Sequence, residues 1–137
     1  MLKSYYKSGK LSGKMFFIDS YVLDDMPLLY AACLVAVYPS TAFEPFGLTM
    51  LEAMASAKPM IVTKAGGMPE IIQDGINWFV IPQKGYEELA SRVIQLFPDD
   101  KLRERMGTVG RRMVEESYSR KNIAKAVVNL YQEFGNT

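Results

Sequence analysis

An α/β fold built on a parallel sheet is predicted, on three observations. Short apolar runs alternate with longer helical patterns along the chain. Each connection between runs is too long for a hairpin, which favours crossover connections and parallel strands. The runs are continuously apolar, as in strands covered on both faces. At 137 residues the chain is expected to form one domain, 1–137.

The elements follow in order. Residues 2–8 read as the end of a helix, and Ser8 to Gly13 as a polar loop. Met15-Phe16-Phe17-Ile18 is a short apolar strand. After a loop over Asp19–Asp25, Asp24 or Asp25 is expected to cap a helix at Met26–Ala32, with Pro27 in its first turn. Leu34–Tyr38 is a buried strand, and Pro39–Phe46 the loop that leaves it. Leu48–Ala57 is rich in strong helix formers, and Lys58-Pro59 ends that helix. Met60–Thr63 is a strand, Lys64–Gly67 a glycine turn and Pro69–Gln73 a short helix. Asp74-Gly75 is a turn signal before a strand at Phe79–Ile81 that Pro82 stops. Tyr86–Phe97 places Leu89, Val93 and Leu96 on one helical face. Pro98-Asp99-Asp100 caps a charged helix from Lys101 to about Ser117. Ser119 caps a last helix, Arg120–Phe134, whose stripe of Ile123, Val127, Leu130, Tyr131 and Phe134 is expected to be buried, as core or as a seam to another domain.

Composition narrows the function. The hydrophobic share of 49% suits a globular core, and the formal net charge of +1, with no basic block, does not suggest nucleic acid. The sequence has no histidine, which removes the commonest general base and metal ligand. Its one cysteine, Cys33, cannot form an internal disulfide and lies in an apolar stretch, which suits burial in a reducing cytoplasm. No signal peptide is evident, and no apolar run nears the ~20 residues of a membrane span.

The chemistry concentrates in Pro39–Glu70. Glu44 and Glu52 stand eight positions apart, with Pro45-Phe46-Gly47-Leu48-Thr49 between them. A strand feeding a glycine turn and then a helix N-terminus is an anion site, because free N–H groups and the positive end of the dipole meet there. Glu52, three residues after Thr49 and four after Leu48, shares their face. A carboxylate there suits two vicinal hydroxyls, as on a ribose, and the Thr49 hydroxyl suits a phosphate oxygen. Ligands of parallel sheets bind beyond the carboxyl ends of strands. Tyr38-Pro39 and Thr63–Gly67 both leave strands at that edge, so two signals converge on one crevice.

Glu44-x7-Glu52 within EPFGLTMLEAMA, then KP, GGMPEII and DG, resembles the nucleotide-sugar-binding domain of retaining glycosyltransferases of family 4. These are GT-B enzymes that include sucrose, sucrose-phosphate and glycogen synthases. The resemblance runs from about Lys14 to Phe134. It implies a Rossmann-like parallel sheet flanked by helices, the partial C-terminal half of a GT-B fold. It also implies transfer of a hexose, UDP- or ADP-glucose being the first donor, to a sugar or other hydroxyl acceptor. The alternative is a non-catalytic GT-B fragment that binds a nucleotide or a partner. A sugar-nucleotide epimerase lacks support, because such enzymes do not share the Glu44–Glu52 string.

Carried over residue by residue, the resemblance puts Glu44 by the hydroxyls of the donor sugar, as the catalytic candidate, and Glu52 by the ribose. N–H groups near Phe46, Gly47, Leu48 and Thr49 hold the diphosphate. Gly66 and Gly67 let the backbone pass the donor closely, or form a plain turn. Phe43 and Phe46 either line the sugar pocket or pack under the loop. Glu70 matches a family position and also suits a helix's first turn. Retention by same-face attack, with the leaving phosphate accepting the acceptor's proton, is implied, with no cofactor and no metal.

Family members carry an earlier strand–helix–strand portion with diphosphate-clamping basic residues, and a separate acceptor domain. The chain is therefore expected to be N-terminally truncated, to lack the acceptor domain and to be inactive alone. A bared sheet edge would invite self-association. No Lys or Arg lies between Pro39 and Ala57, and Lys64 is the nearest cation, in the site or in solvent. Departures from the family pattern are Ala57, Trp78 and Asp19, where glycine is usual. Ala57 in a left-handed cap would cost on the order of 1 kcal/mol.

Overall fold

The computed structural model describes residues 16, 18, 23–43, 47–66 and 71–135. A 3₁₀ turn, Leu23–Asp25, leads into α1, Met26–Ala32. Then come β1 (Ala36–Tyr38), α2 (Leu48–Ala55), β2 (Met60–Thr63) and β3 (Phe79–Ile81). Three helices follow: α3 (Tyr86–Leu96), α4 (Asp100–Met113) and, after a π-helical turn at Val114–Tyr118, α5 (Arg120–Gly135).

The three strands form one parallel sheet in the order β1-β2-β3, with Val37 opposite Ile61 and Ile61 opposite Phe79. The α/β class and the parallel sheet are as expected. β2 is central and all four of its residues are buried, because both faces and both edges of the strand are covered. Its alternating side chains serve two cores. On one face Met60 and Val62 meet Met50, Ala53 and Met54 of α2, with Tyr30 and Trp78. On the other, Ile61 meets Phe79, Ile81, Leu96 and Met106, with Leu89 and Val93 packed around them. Arg92 lies over the Phe79 ring, 4.2 Å from its centre, so α3 covers β3 with a cation–π contact as well as with apolar area.

Helix α2 ends in a Schellman motif. The N–H of Lys58 donates to Ala53 O, and that of Ala57 to Met54 O. Ala57 has φ 52°, the left-handed conformation expected there. Helix α4 crosses this turn closely: a Cβ on Gly107 would lie 2.0 Å from Ala57 O. Trp78 is wholly buried, and its Nε1 donates to Lys58 O at 3.1 Å, so it fills core rather than an interface. Asp99 caps α4, its carboxylate accepting from the Leu102 N–H at 2.8 Å. Ser119 Oγ accepts from the Asn122 N–H at the start of α5.

Several expectations change. The buried strand Leu34–Tyr38 shortens to Ala36–Tyr38, with Leu34 and Val37 exposed, since among the described residues β1 has one sheet neighbour. Asp25 occupies the cap position of α1, yet its side chain makes no capping bond. Of the expected helix at Pro69–Gln73, Pro69 and Glu70 lie outside the described residues, and Ile71–Gln73 are not helical. The Asn77 side chain explains this: its Oδ1 accepts from the Gln73 N–H and its Nδ2 donates to Ile71 O, which offers the backbone a partner other than a helix. Of the expected strand Met15–Ile18, Met15 and Phe17 lie outside the described residues, while Phe16 and Ile18 are exposed and in no strand. Cys33 is half-buried rather than buried. The α5 stripe is not core: Ile123, Val127, Leu130, Tyr131 and Phe134 are 46–75% exposed.

Candidate functional site

The candidate site lies at the carboxyl ends of β1 and β2. Gly47 occupies the N-cap of α2 with φ 73° and ψ 74°, a left-handed conformation that a side chain would strain. The first bond of the helix runs from the Met50 N–H to Gly47 O, 2.9 Å. The N–H groups of Leu48 and Thr49 precede that bond and point out of the helix end. Leu48 is exposed and Thr49 half-buried. The eight residues of α2 give this end the dipole of a full helix, about half a positive charge.

The loop between β1 and α2 is tied to the neighbouring strands. Thr63, the last residue of β2, is buried, and its Oγ1 donates to Ser40 O at 2.6 Å. Gln83 Nε2, just beyond β3, donates to Thr41 O at 3.4 Å. Gly66, with φ 61°, turns the chain just past β2, and exposed Lys64 holds its own N–H on Ile81 O. Gly66 thus lies just past the carboxyl end of β2, and Gly47 opens the helix that follows β1. Phe43 is 78% exposed, so it does not pack under the loop. Glu44, Phe46 and Gly67 lie outside the described residues, as does Glu70.

Glu52 is exposed on α2, one turn into the helix. It lines a cleft of about 240 Å³ with Met26, Pro27, Tyr30, Ala55 and Ser56. A carboxylate at the rim of an apolar, half-open cleft can accept hydrogen bonds from hydroxyls while the wall packs a flat face. Tyr30 is the residue that sequence reasoning missed. It is buried, and its hydroxyl donates to Thr49 O at 3.1 Å, fixing the first turn of α2 against α1. The aromatic ring in an otherwise aliphatic helix, MPLLYAA, was the available signal.

Burial pushes the Cys33 thiol above its ordinary pKa, only partly offset by the Lys58 charge, so Cys33 is a poor nucleophile. Among the described residues no group of three or more Cys, Asp or Glu side chains could hold a metal ion, and no helix is long and apolar enough to cross a membrane.

A parallel sheet with helices packed on both faces, and a left-handed glycine at the start of the helix that follows β1, defines a Rossmann-like domain. The chain belongs to the glycosyl transferases group 1 family, which it matches over residues 1–113. It is 36% identical over 119 residues to the uncharacterized glycosyltransferase MJ1607 of Methanocaldococcus jannaschii, covering 87% of this chain and 30% of that one. The structure of Anabaena Alr3699/HepE in complex with UDP-glucose superposes with a TM-score of 0.86 at 26% identity, over 96% of this chain and 36% of that chain. The C-terminal domain of the group 1 family protein LpcC of Francisella tularensis has a TM-score of 0.74 at 34% identity, over 87% of this chain and 61% of that one. The fold is thus that of the C-terminal half of a GT-B glycosyltransferase. The chain spans about a third of the length of most of the curated relatives it matches.

Proposed function

We propose that this chain is the donor-binding domain of a retaining, family 4 hexosyltransferase, with UDP-glucose as the first donor. The observation that carries the reading is the left-handed Gly47 at the head of α2, with Glu52 one turn behind it. The donor diphosphate meets the N–H groups of Leu48 and Thr49, and Glu52 accepts from the ribose hydroxyls. Glu44 holds the hydroxyls of the sugar. The HepE structure, which carries UDP-glucose, supports UDP over other nucleotides. Preorganised donors at the helix end stabilise the negative charge that grows on the diphosphate as the glycosidic bond breaks. Same-face attack then lets the leaving phosphate accept the acceptor's proton. No metal is needed in this reading, because the helix end takes part of the charge.

The half-charge of the helix end does not balance a diphosphate. Basic residues and an acceptor domain supplied by a longer polypeptide complete the reaction, so the 137-residue chain alone is expected to be inactive. The reading places the enzyme in the cytoplasm, where nucleotide sugars and a reduced Cys33 are both at home. The second reading, a nucleotide-binding GT-B fragment without turnover, shares the same site.

Calorimetric titration with UDP, UDP-glucose, ADP-glucose and GDP-mannose tests the donor. Preference for the uridine ligands supports the reading; preference for ADP-glucose or GDP-mannose refutes the choice of donor. Detectable sugar transfer by the isolated chain would overturn its dependence on further polypeptide.

A further inference from the structure

The loop that leaves β1 is held from two other strands. Thr63 ends β2 and is 2% exposed, and its Oγ1 donates to Ser40 O at 2.6 Å. Gln83, just past β3, donates from Nε2 to Thr41 O at 3.4 Å. Two successive carbonyls of one loop are thus tied to the carboxyl ends of β2 and β3. Ser40 Oγ adds a bond within the loop, to Ala42 O at 3.2 Å. Thr41, Ala42 and Phe43 are exposed, so little apolar burial fixes their course and the ties carry more of it.

β2 is a firm anchor for such a tie. All four of its residues are buried, and it pairs with a strand on each side. Met60, Ile61 and Val62 are apolar, and burial alone would be served by a fourth apolar residue. A buried hydroxyl needs a partner. That of Thr63 reaches a carbonyl 23 positions away in the chain, on the loop, rather than one in its own strand. The start of α2 is held separately, by the Tyr30 hydroxyl on Thr49 O and by buried Met50. Loop and helix start therefore have independent anchors.

We propose that Thr63, supported by Gln83, is a positioning residue for the donor sugar, because it sets the course of the loop that delivers Glu44, three residues after Thr41. The inference rests on the donor-binding reading, in which Glu44 holds the sugar hydroxyls and the start of α2 holds the diphosphate. Thr63 acts through the loop rather than on the donor itself. Losing its hydroxyl should loosen the hold on the sugar and spare the hold on the diphosphate.

The test is the ratio of the dissociation constants for UDP-glucose and UDP, measured by calorimetry on the 137-residue chain. Thr63→Val should raise that ratio about fivefold, the worth of a typical hydrogen bond, and Thr63→Ser should restore it. Gln83→Ala, at an exposed position, should raise it by about twofold, since its bond is longer. In a Glu44→Gln background Thr63→Val should shift the ratio no further, because both changes act on one contact. A merely structural role would lower the urea midpoint and leave the ratio alone. An unchanged ratio in Thr63→Val, or in Gln83→Ala should Thr63→Val not fold, would overturn the inference alone, as would an equal shift with and without Glu44. Failure of the natural chain to bind UDP-glucose would overturn the donor reading and this inference with it.

Discussion

Ala57 carries a cost that the fold accepts. It stands in the left-handed C′ position of a Schellman motif, with φ 52° and both motif hydrogen bonds in place. Ala57→Gly should therefore stabilise the protein by about 1 kcal/mol, measured as a rise in the urea midpoint at constant slope. Gly47 is the reverse case. At φ 73° it is the residue its conformation demands, so Gly47→Ala should strain the turn by about 1 kcal/mol and weaken UDP-glucose binding more than it lowers the melting temperature. Equal binding by the two proteins would remove Gly47 from the site. The Gly47 turn was legible in the sequence, because a left-handed position favours glycine; the left-handed Ala57 was legible only through the family resemblance, in which glycine is usual there. Tyr30 was not, because a tyrosine in an apolar helix says nothing of which carbonyl its hydroxyl will find.

At the scale of elements, the strands Met60–Thr63 and Phe79–Ile81 were readable residue for residue, since apolar runs bounded by proline and glycine leave few alternatives. The helices α3, α4 and α5 were readable to within a few residues at each end, from spacing and from the Asp99 and Ser119 caps. Asp99→Ala should cost about 1 kcal/mol of stability, checked by chemical denaturation, through loss of the bond to the Leu102 N–H. The segment Ile71–Gln73 misled because its outcome rests on Asn77, a buried side chain that bonds the segment's backbone locally and reaches Met113 of α4 as well. The close crossing of α4 over α2 was equally hidden. It depends on Gly107, and Gly107→Ala would drive a Cβ into Ala57 O. A loss of about 1–3 kcal/mol is expected from such overpacking. An unchanged midpoint would mean that α4 can shift off this turn at little cost.

For the molecule as a whole, periodicity fixed which face of each helix is apolar but not what covers it. The α5 stripe reads like core and is exposed, and β1, which has one sheet neighbour among the described residues, exposes Val37 where a covered strand was expected. Burial is a property of the assembled chain, and the sequence pattern records only the preference. The parallel sheet was legible, and with it the edge to which the glycine turn and the helix start belong, because that edge depends on topology. We propose that this edge binds a nucleotide sugar through the start of α2 and Glu52. The most direct test is the dissociation constant for UDP-glucose of the 137-residue chain beside that of Glu52→Gln. Saturable binding by the natural chain is expected, even at millimolar strength, with a loss of at least roughly tenfold on substitution, since a hydrogen bond to a charged group contributes about 1.5–3 kcal/mol and ~1.4 kcal/mol is tenfold. No binding by the folded chain, or the same constant for both proteins, would contradict it.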